Sequence, residues 1–272
     1  MSADESTQPA RLSIAHGIGE IAFDNGPLNL VDYAMLRAFA RAVDDASSDQ
    51  TLRCLIVHGS PRADKRAFCA GSNIREFDTL RSNASEQKIL VEDSVLRKLA
   101  GLAIPTIAAI DGAALGGGFE IALACDLRVV RDGVPLGLPE CRLGGLAGSG
   151  SVRLARLVGP SRAKELLFLG ETISAQQALA WGMVNRVVGG AGHADDIAPA
   201  LTAARAVAAT IVTRGPLSMR YSKQLVDAAH DGSIDAALVQ STVLQQRIFD
   251  SEDLYEGAAA FFEKRDPEFK GR

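Results

Sequence analysis

Three consecutive glycines in the middle of the chain constrain its fold more than any other feature. The run Gly116–Gly118 separates a continuous apolar segment, Thr106–Ile110, from an apolar helical pattern. Glycine permits backbone conformations that side chains block and allows other groups to approach the main chain closely. Free N–H groups at the start of the following helix would suit an oxygen that acquires negative charge. Glu120 lies one turn into that helix among apolar neighbours, where an unpaired carboxylate is costly to bury.

The composition is that of a globular protein with one large domain, or one domain with a helical appendage. Apolar residues make up 47% of the 272 residues and charged residues 23%. The net charge of −4 argues against a nucleic-acid-binding protein that depends on phosphate contacts. The apolar segments are all shorter than the ~20 residues that a membrane-spanning helix needs, so we expect no membrane partner.

The four cysteines indicate neither a disulfide framework nor a metal site. They form no C-x-x-C pair, and Cys54 and Cys125 lie in apolar runs that are typical of small core residues. The first ten residues are polar and acidic, unlike a secretory or transit peptide, and we expect them to be disordered. This pattern favours a reducing cytoplasm as the compartment.

Apolar runs and helical patterns alternate along the first half of the chain. Strands are predicted at Leu12–Ala15, Glu20–Phe23, Cys54–His58, Thr106–Ile110 and Leu127–Val130, the first two joined as a hairpin by residues 16–19. Helices are predicted at Val31–Ala46 and Ile89–Leu102. This order indicates an α/β fold whose strands are buried on both faces.

From about Ser149 the pattern becomes helical, with one strand predicted at Val184–Val188. The predicted helices are Val152–Val158, Ala163–Leu169, Ala175–Ala180, Pro199–Ala209, Met219–Ala229, Ile234–Ile248 and Ala258–Phe262. Pro199 suits the first position of its helix, where no N–H is needed. We therefore divide the chain into a core at residues 1–195 and a helical region at residues 196–272.

Three segments carry groups suited to chemistry, and each also has a purely structural interpretation. In Ala67–Phe77 the chain turns at Gly71, after which Asn73 is a good helix cap; a strand-to-helix turn would need the same residues. The glycine run could be a tight packing turn. Leu138–Glu140 places a carboxylate after a proline, where a solvated glutamate in a surface turn is the more common outcome.

Together these segments supply the groups needed to move a proton beside a thioester carbonyl. Each glycine segment offers a backbone N–H to an enolate oxygen. Glu120 and Glu140 offer two carboxylates, twenty positions apart, for protons and water.

The segments resemble, in order and over nearly the whole chain, those of the enoyl-CoA hydratase/isomerase (crotonase) superfamily. Phe68–Ile74 is similar to the first oxyanion segment of that family and Ala114–Cys125 to the second. Asn25–Asn29 resembles the motif after its opening hairpin, and Ala260–Arg265 resembles its closing helix. The resemblance implies a crotonase-type (ClpP-like) spiral of ββα units, with a C-terminal helical region that mediates trimerisation.

The resemblance also implies roles for individual residues. The backbone N–H groups of Ser72 and Gly117 would bind the thioester oxygen, while Glu120 and Glu140 would handle water and protons. The residues that would contact substrate or CoA are Ala70, Gly71, Ser72, Asn73, Ile74, Gly116, Gly117, Phe261 and Lys264, the last two at a neighbouring subunit's site. The substrate would be an acyl-CoA thioester, with CoA as part of the substrate rather than a cofactor, and the assembly a homotrimer or hexamer.

Several departures from the family pattern bear on the substrate. Ser72 stands where hydratases often have alanine, which preserves the N–H and adds a hydroxyl near the thioester. Asn73 stands where aspartate is usual, and the sequence after Glu140 is looser than the family's. We expect Phe77–Val91 and Leu143–Leu146 to line the acyl pocket.

Hydration of a trans-2-enoyl-CoA to a 3-hydroxyacyl-CoA is the leading hypothesis, because both carboxylates are present. Δ3,Δ2-isomerisation needs only one base, near the position of Glu140, and dehydration of a specialised hydroxyacyl-CoA is not distinguished from hydration. A non-catalytic CoA-binding protein would be expected to lack a glutamate or a glycine segment. Residues 148–151 lack the G-x-S-x-G spacing of a serine hydrolase.

A basic cluster of Arg62, Lys65 and Arg66 precedes the first oxyanion segment. A solvated loop is the simpler interpretation of this cluster. Screening of the CoA phosphates is the functional alternative.

Overall fold

The structure, a computed structural model, describes residues 8–61, 67–189 and 197–272. Its strands are β1 (Ala10–Ala15), β2 (Ile18–Phe23), β3 (Cys54–Gly59), β4 (Ala67–Cys69), β5 (Thr106–Ile110), β6 (Ala113–Leu115), β7 (Leu127–Arg131), β8 (Pro135–Gly137), β9 (Ile173–Ser174) and β10 (Arg186–Val188). Its helices are α1 (Tyr33–Ser48), α2 (Phe77–Leu80), α3 (Leu90–Ala100), α4 (Gly117–Ala124), α5 (Gly148–Val158), α6 (Pro160–Leu169), α7 (Ala175–Ala180), α8 (Pro199–Val212), α9 (Pro216–Asp231), α10 (Ile234–Phe249) and α11 (Glu252–Glu263).

The larger sheet has six strands in the order β1-β2-β3-β5-β7-β10. Only β1 and β2 run antiparallel to each other, and each later neighbour is parallel. The hairpin is confirmed, but its turn has two residues rather than four. His16 and Gly17 both have positive φ, 51° and 76°, which is the conformation that matches the twist of a two-residue hairpin.

The parallel strands of this sheet are buried on both faces, as predicted. Every residue of β5 is buried, and so are the first five residues of β3. One face packs against α1, α3 and α4, and the other packs against α8. Ala200, Ala204 and Ala208 of α8 are fully buried there, and their small side chains allow the helix to lie close to the strands.

A second, smaller sheet has the order β4-β6-β8-β9. Its first three strands are parallel and β9 is antiparallel to β8. Each pair β3–β4, β5–β6 and β7–β8 thus contributes one strand to each sheet, which confirms the predicted spiral of ββα units. The sequence patterns did not predict β6 and β8 because three residues are too few for a recognisable apolar run.

The second half of the chain is mostly helical, as predicted, with three corrections. β9 is an unpredicted strand, and the strand predicted at Val184–Val188 begins at Arg186. The helix predicted at Ala258–Phe262 begins earlier, after Ser251, with Glu252 and Asp253 in its first turn, where acidic residues favour the helix dipole. The division at residues 195 and 196 stays a prediction.

None of the helices in the described parts of the chain has both the length and the apolar character needed to cross a membrane.

Candidate active site

The three segments singled out in the sequence follow the carboxyl ends of three adjacent parallel strands. Gly71 and Ser72 follow β4, Gly116 follows β6, and Glu140 follows β8. The backbone N–H of Gly116 donates to the Gly137 carbonyl at 2.9 Å, which ties the second segment to the end of β8. Because the carboxyl ends of parallel strands share one edge of a sheet, residues far apart in sequence meet here.

The first segment is held by the chain that leads into α1. Val31 donates to the Gly71 carbonyl and accepts from the Asn73 N–H, both at 2.9 Å. Gly71 has a φ of 98°, which few other residues adopt. Within the described part of the chain, the N–H of Ser72 between these two bonds has no acceptor. Asn73 caps the short 3₁₀ helix Ile74–Glu76, as the sequence indicated.

Asn29 positions the strand that leads to this segment, a role that sequence reasoning missed. Its side chain is fully buried and donates to the carbonyls of Ala67 and Phe68 at 3.0 and 3.1 Å. Its Oδ1 accepts from the Asn25 N–H at 2.9 Å. The motif Asn25–Asn29 therefore fixes β4 from the side, and the signal for it was an asparagine just after a Gly-Pro turn.

The second segment begins with Gly116, whose backbone conformation is difficult for any other residue to adopt. Gly116 has φ 53° and ψ −132°. Gly117 is the first residue of α4, so its N–H has no acceptor within the helix. A β-carbon on Gly71 would lie 3.7 Å from the Gly117 nitrogen, which shows how closely the two segments approach each other.

Gly118 is required for packing rather than for chemistry. A β-carbon there would lie 2.0 Å from the carbonyl oxygen of Cys69, at the end of β4. The packing interpretation of the glycine run is therefore correct for Gly118. Gly116 and Gly117 form the part of the run that borders the candidate site.

Glu120 projects from α4 in a largely buried position. Its Oε1 accepts a hydrogen bond of 2.5 Å from the backbone N–H of Gly150, at the start of α5. Burial raises the pKa of Glu120 to about 7, with further increases from the negative charges of Glu140 and Glu92. The Gly150 hydrogen bond acts in the opposite direction. A carboxyl group with this pKa exchanges protons near neutral pH.

Glu140 begins a short 3₁₀ helix, Glu140–Leu143, and points towards the second glycine segment. A β-carbon on Gly116 would lie 3.1 Å from Glu140 Oε1. Its Oε2 is buried and has no hydrogen-bond partner among the described residues, and burial raises the pKa of this carboxyl group. The interpretation of Glu140 as a solvated glutamate in a surface turn is therefore wrong.

A third carboxylate, Glu92, borders the same site and was not predicted. It lines an otherwise apolar cavity between α1, α3 and α4 together with Gly117 and Glu120. The apolar lining comes from Val31, Met35, Leu36, Phe39, Val95, Leu96 and Ile121. Glu92 Oε1 accepts from Lys88 Nζ at 2.6 Å. A Lys–Glu pair four residues apart is common on exposed helix faces, so the sequence offered no signal that Glu92 faces a cavity.

The structure does not bring every predicted site residue to this cavity. Ile74 is 55% exposed, and Leu143 and Leu146 are also exposed. Phe261, at the end of α11, is 79% exposed, and Lys264 ends that helix in a left-handed conformation. Contacts of Phe261 and Lys264 with a neighbouring subunit stay a prediction.

The basic cluster of Arg62, Lys65 and Arg66 lies outside the described residues. Within the described ranges, no group of three or more metal-ligating side chains comes together.

The sequence that carries this site matches a known protein family. The family model described as enoyl-CoA hydratase/isomerase matches residues 13–272. The chain belongs to this family. The match covers both glycine segments, both glutamates and the C-terminal helices, so the predicted resemblance is confirmed.

Individual relatives agree with the family assignment. The chain is 35% identical over 263 residues to a protein named probable enoyl-CoA hydratase from Bacillus subtilis, which covers 96% of this chain and 98% of that one. It is 34% identical over 244 residues to mouse mitochondrial methylglutaconyl-CoA hydratase, covering 89% of this chain and 76% of that one. Among crystal structures, enoyl-CoA hydratase from Bacillus anthracis superposes with a TM-score of 0.89 at 30% identity, covering 97% of this chain and 100% of that one.

Proposed function

We propose that this member of the enoyl-CoA hydratase/isomerase family hydrates a trans-2-enoyl-CoA to a 3-hydroxyacyl-CoA. The observation that carries the proposal is the pair of carboxyl groups, Glu120 and Glu140, beside the Gly116–Gly117 segment. Both have raised pKa values because they are largely buried. Two proton-exchanging groups next to unpaired backbone donors are what addition of water beside a thioester requires.

In the proposed reaction, the N–H groups of Ser72 and Gly117 donate to the thioester oxygen. They stabilise the negative charge that develops there when water adds to Cβ. Glu120 takes a proton from the attacking water. Glu140, which lies against Gly116, gives a proton to Cα, and the reverse steps eliminate water from the hydroxyacyl product.

A pKa of about 7 for Glu120 supports a role in a reversible reaction. Near neutral pH, both the carboxylate that accepts a proton from water and the acid that returns it are populated. The hydrogen bond from Gly150 fixes one oxygen of Glu120 and leaves the other for water. Isomerisation would need only one of the two glutamates, so the second carboxyl group favours hydration.

Substitution of the glutamates tests the proposal. In Glu120→Gln and Glu140→Gln the shape of each side chain is kept while proton exchange is lost. We expect each substitution to lower kcat for hydration of crotonyl-CoA by about a hundredfold to ten-thousandfold. Glu165→Gln, an exposed glutamate on α6, is the matched control. Undiminished hydration by the double variant Glu120→Gln/Glu140→Gln would rule out the assignment.

Product analysis separates hydration from the competing activity. Incubation with a 3-enoyl-CoA and a 2-enoyl-CoA, followed by mass spectrometry, detects either a gain of one water or an isomer of unchanged mass. A product of unchanged mass from the 3-enoyl-CoA, with no hydration of the 2-enoyl-CoA, would favour Δ3,Δ2-isomerisation with Glu140 as the single base.

The remaining expectations are proposals that follow from this activity. CoA enters as part of the substrate, with Ala70, Gly71, Asn73 and Ile74 near the thioester. A homotrimer or hexamer would place Phe261 and Lys264 of one subunit at the CoA site of the next. The cytoplasm is the proposed compartment.

A further inference from the structure

A third carboxylate lies next to the reacting groups and has no part in the proposed reaction. Glu92, on α3, lines the same cavity as Gly117 and Glu120, and the rest of that lining is apolar. A β-carbon on Gly117 would lie 3.9 Å from Glu92 Oε1 and 3.6 Å from Ser72 Oγ. Glu92 therefore borders the residue that donates one of the proposed hydrogen bonds to the thioester oxygen.

Lys88 holds this carboxylate in place. Its Nζ donates to Glu92 Oε1 at 2.6 Å, from the π-helical turn immediately before α3. The two side chains are 12% and 23% exposed, whereas the next pair along the helix, Arg97–Asp93, is 75% and 40% exposed. Lys88 does not line the cavity, so the negative member of the pair is the one that faces Glu120.

Little water separates Glu92 from Glu120. The cavity that they share has room for about one water molecule, and most of its wall consists of apolar side chains. Charges that face each other across such a space are screened far less than charges in bulk water. Burial and the carboxylate of Glu140 raise the pKa of Glu120, and the charge of Glu92 raises it further.

Among the described residues, the charged groups that act on Glu120 come from three elements. Glu140 follows β8, Arg153 lies on α5, and the Lys88–Glu92 pair lies at the start of α3. α1 contributes only apolar side chains to the cavity, and α4 carries no second charge. The described strands that pack against α4, β4 and β6, bring no charged side chain. Glu92 and Lys88 act in opposite directions, because a negative charge favours a proton on Glu120 and a positive charge disfavours it.

We infer that Lys88 and Glu92 are positioning residues that set the charge on Glu120, with Glu92 favouring the protonated acid and Lys88 limiting that effect. This inference rests on the proposed hydration and assigns a further role within the same site. A carboxylate at Glu92 makes ionisation of Glu120 more costly, so the ionised form is a stronger base for water. The protonated form is then also more populated near neutral pH for the reverse reaction.

Two substitutions with opposite charge effects test this inference through the pH profile. On the acidic side, kcat/KM for hydration of crotonyl-CoA falls as Glu120, the base for water, becomes protonated. Glu92→Gln removes the negative charge and keeps an oxygen for Lys88, so the midpoint of this fall should move to lower pH by about half a unit or more. Lys88→Met leaves Glu92 without its cation, so the midpoint should move to higher pH. The second shift should be smaller, because Lys88 does not line the cavity.

The opposite signs of the two shifts separate a charge effect from damage to the fold. A loss of folded protein lowers the rate at every pH and does not move the midpoint. Lys88→Arg keeps the cation and should retain the wild-type midpoint, and so should Asp93→Asn and Arg97→Met, which alter the exposed pair on the same helix. Equal midpoints in wild type, Glu92→Gln and Lys88→Met would overturn the inference. Shifts of the same sign in the two variants, or an equal shift in Asp93→Asn, would overturn it as well.

A titration without turnover keeps this inference distinct from the proposed function. Carbon-13 NMR of protein with labelled glutamate carboxyl groups follows the Glu120 signal, which is identified by its loss in Glu120→Gln. If crotonyl-CoA is hydrated but this signal titrates at the same pH in wild type, Glu92→Gln and Lys88→Met, the inference fails and hydration stands. If crotonyl-CoA is not hydrated but the signal titrates at lower pH in Glu92→Gln and at higher pH in Lys88→Met, the proposed reaction fails and the control of Glu120 stands.

Discussion

The carboxylate of Glu140 lies directly against the Cα of Gly116, so that a β-carbon on this glycine would stand 3.1 Å from Glu140 Oε1. The two residues are 24 positions apart but follow neighbouring strands, β8 and β6. The carboxyl group that follows β8 therefore packs against the backbone that follows β6. This contact couples the geometry of the second glycine segment to the position of the Glu140 carboxyl group.

The substitution Gly116→Ala tests that coupling. Alanine would have to adopt a φ of 53° and would displace Glu140, so we expect kcat/KM for crotonyl-CoA to fall by about a hundredfold or more. The matched control is Gly133→Ala, because Gly133 also has positive φ, 79°, but nothing lies within 4 Å of an added β-carbon. Both variants incur a backbone cost, because residues with a side chain rarely adopt a positive φ. Equal activity of the two variants would contradict a special role for the Glu140 contact.

The substitution Gly118→Ala should act on stability. Its β-carbon would lie 2.0 Å from the Cys69 carbonyl, so α4 must move away from β4. We expect the free energy of unfolding in urea to fall by about 3 kcal/mol, the upper part of the usual range for overpacking. Gly148→Ala, at the start of α5 with no atom within 4 Å of the new methyl group, should change stability by less than about 1 kcal/mol. A Gly118→Ala variant as stable as Gly148→Ala would show that this packing is not tight.

The raised pKa of Glu120 predicts that the difference in stability between Glu120→Gln and wild type depends on pH. The folded protein holds the Glu120 proton up to about pH 7, whereas the pKa of an exposed glutamate is 4.5. The folded state therefore binds more protons between these values, and its stability falls as pH rises through that window. Glu120→Gln lacks this loss, so it should be more stable than wild type above pH 7, by at most about 3 kcal/mol, and nearly equal below pH 4.5.

Urea unfolding at several pH values from 4 to 8 measures this difference. Glu165→Gln provides the control at an exposed glutamate, for which we expect the same pH dependence as for wild type. A constant difference between Glu120→Gln and wild type over the whole range would argue against the raised pKa.

Asn29 provides a test of how β4 is held in place. Asn29→Asp keeps the shape of the side chain but removes both donors to Ala67 and Phe68 and sets a charge against their carbonyls. We expect a loss of about 3 kcal/mol or more in unfolding free energy. Asn29→Gly removes the same hydrogen bonds without adding charge and tolerates the φ of 49°, so it should lose less. A higher melting temperature for Asn29→Asp than for Asn29→Gly would contradict this role.

Much of the fold could be predicted from local patterns. The strand Thr106–Ile110 and the helix Ala175–Ala180 have the predicted bounds, because uninterrupted apolar runs and helical periodicity are local properties of the sequence. Helix starts were less accurate. For α5, the glycines and serines of 148–151 are weak helix formers, yet Gly150 lets Glu120 approach closely, because a β-carbon there would lie 3.0 Å from Glu120 Cγ.

The candidate site could be predicted only in part. Its backbone donors and two of its carboxylates stand in recognisable segments, so the sequence indicated their chemistry and, through the family resemblance, their roles. Their convergence depends on β6 and β8, which are defined by pairing rather than by composition. Glu92 could not be predicted, because an ion pair of Lys88 and Glu92 has the same spacing whether a helix face meets solvent or a cavity.

The arrangement of the small sheet has a consequence for which parts of the candidate site can vary independently. Ser72, Gly117 and Glu140 depend on β4, β6 and β8, whereas most of the cavity wall comes from α1 and α3, which pack on the larger sheet. Substitutions at Met35 or Leu36 would therefore change the cavity wall and leave in place the strand ends that position Ser72, Gly117 and Glu140. The wall and the strand ends can thus be altered independently of each other.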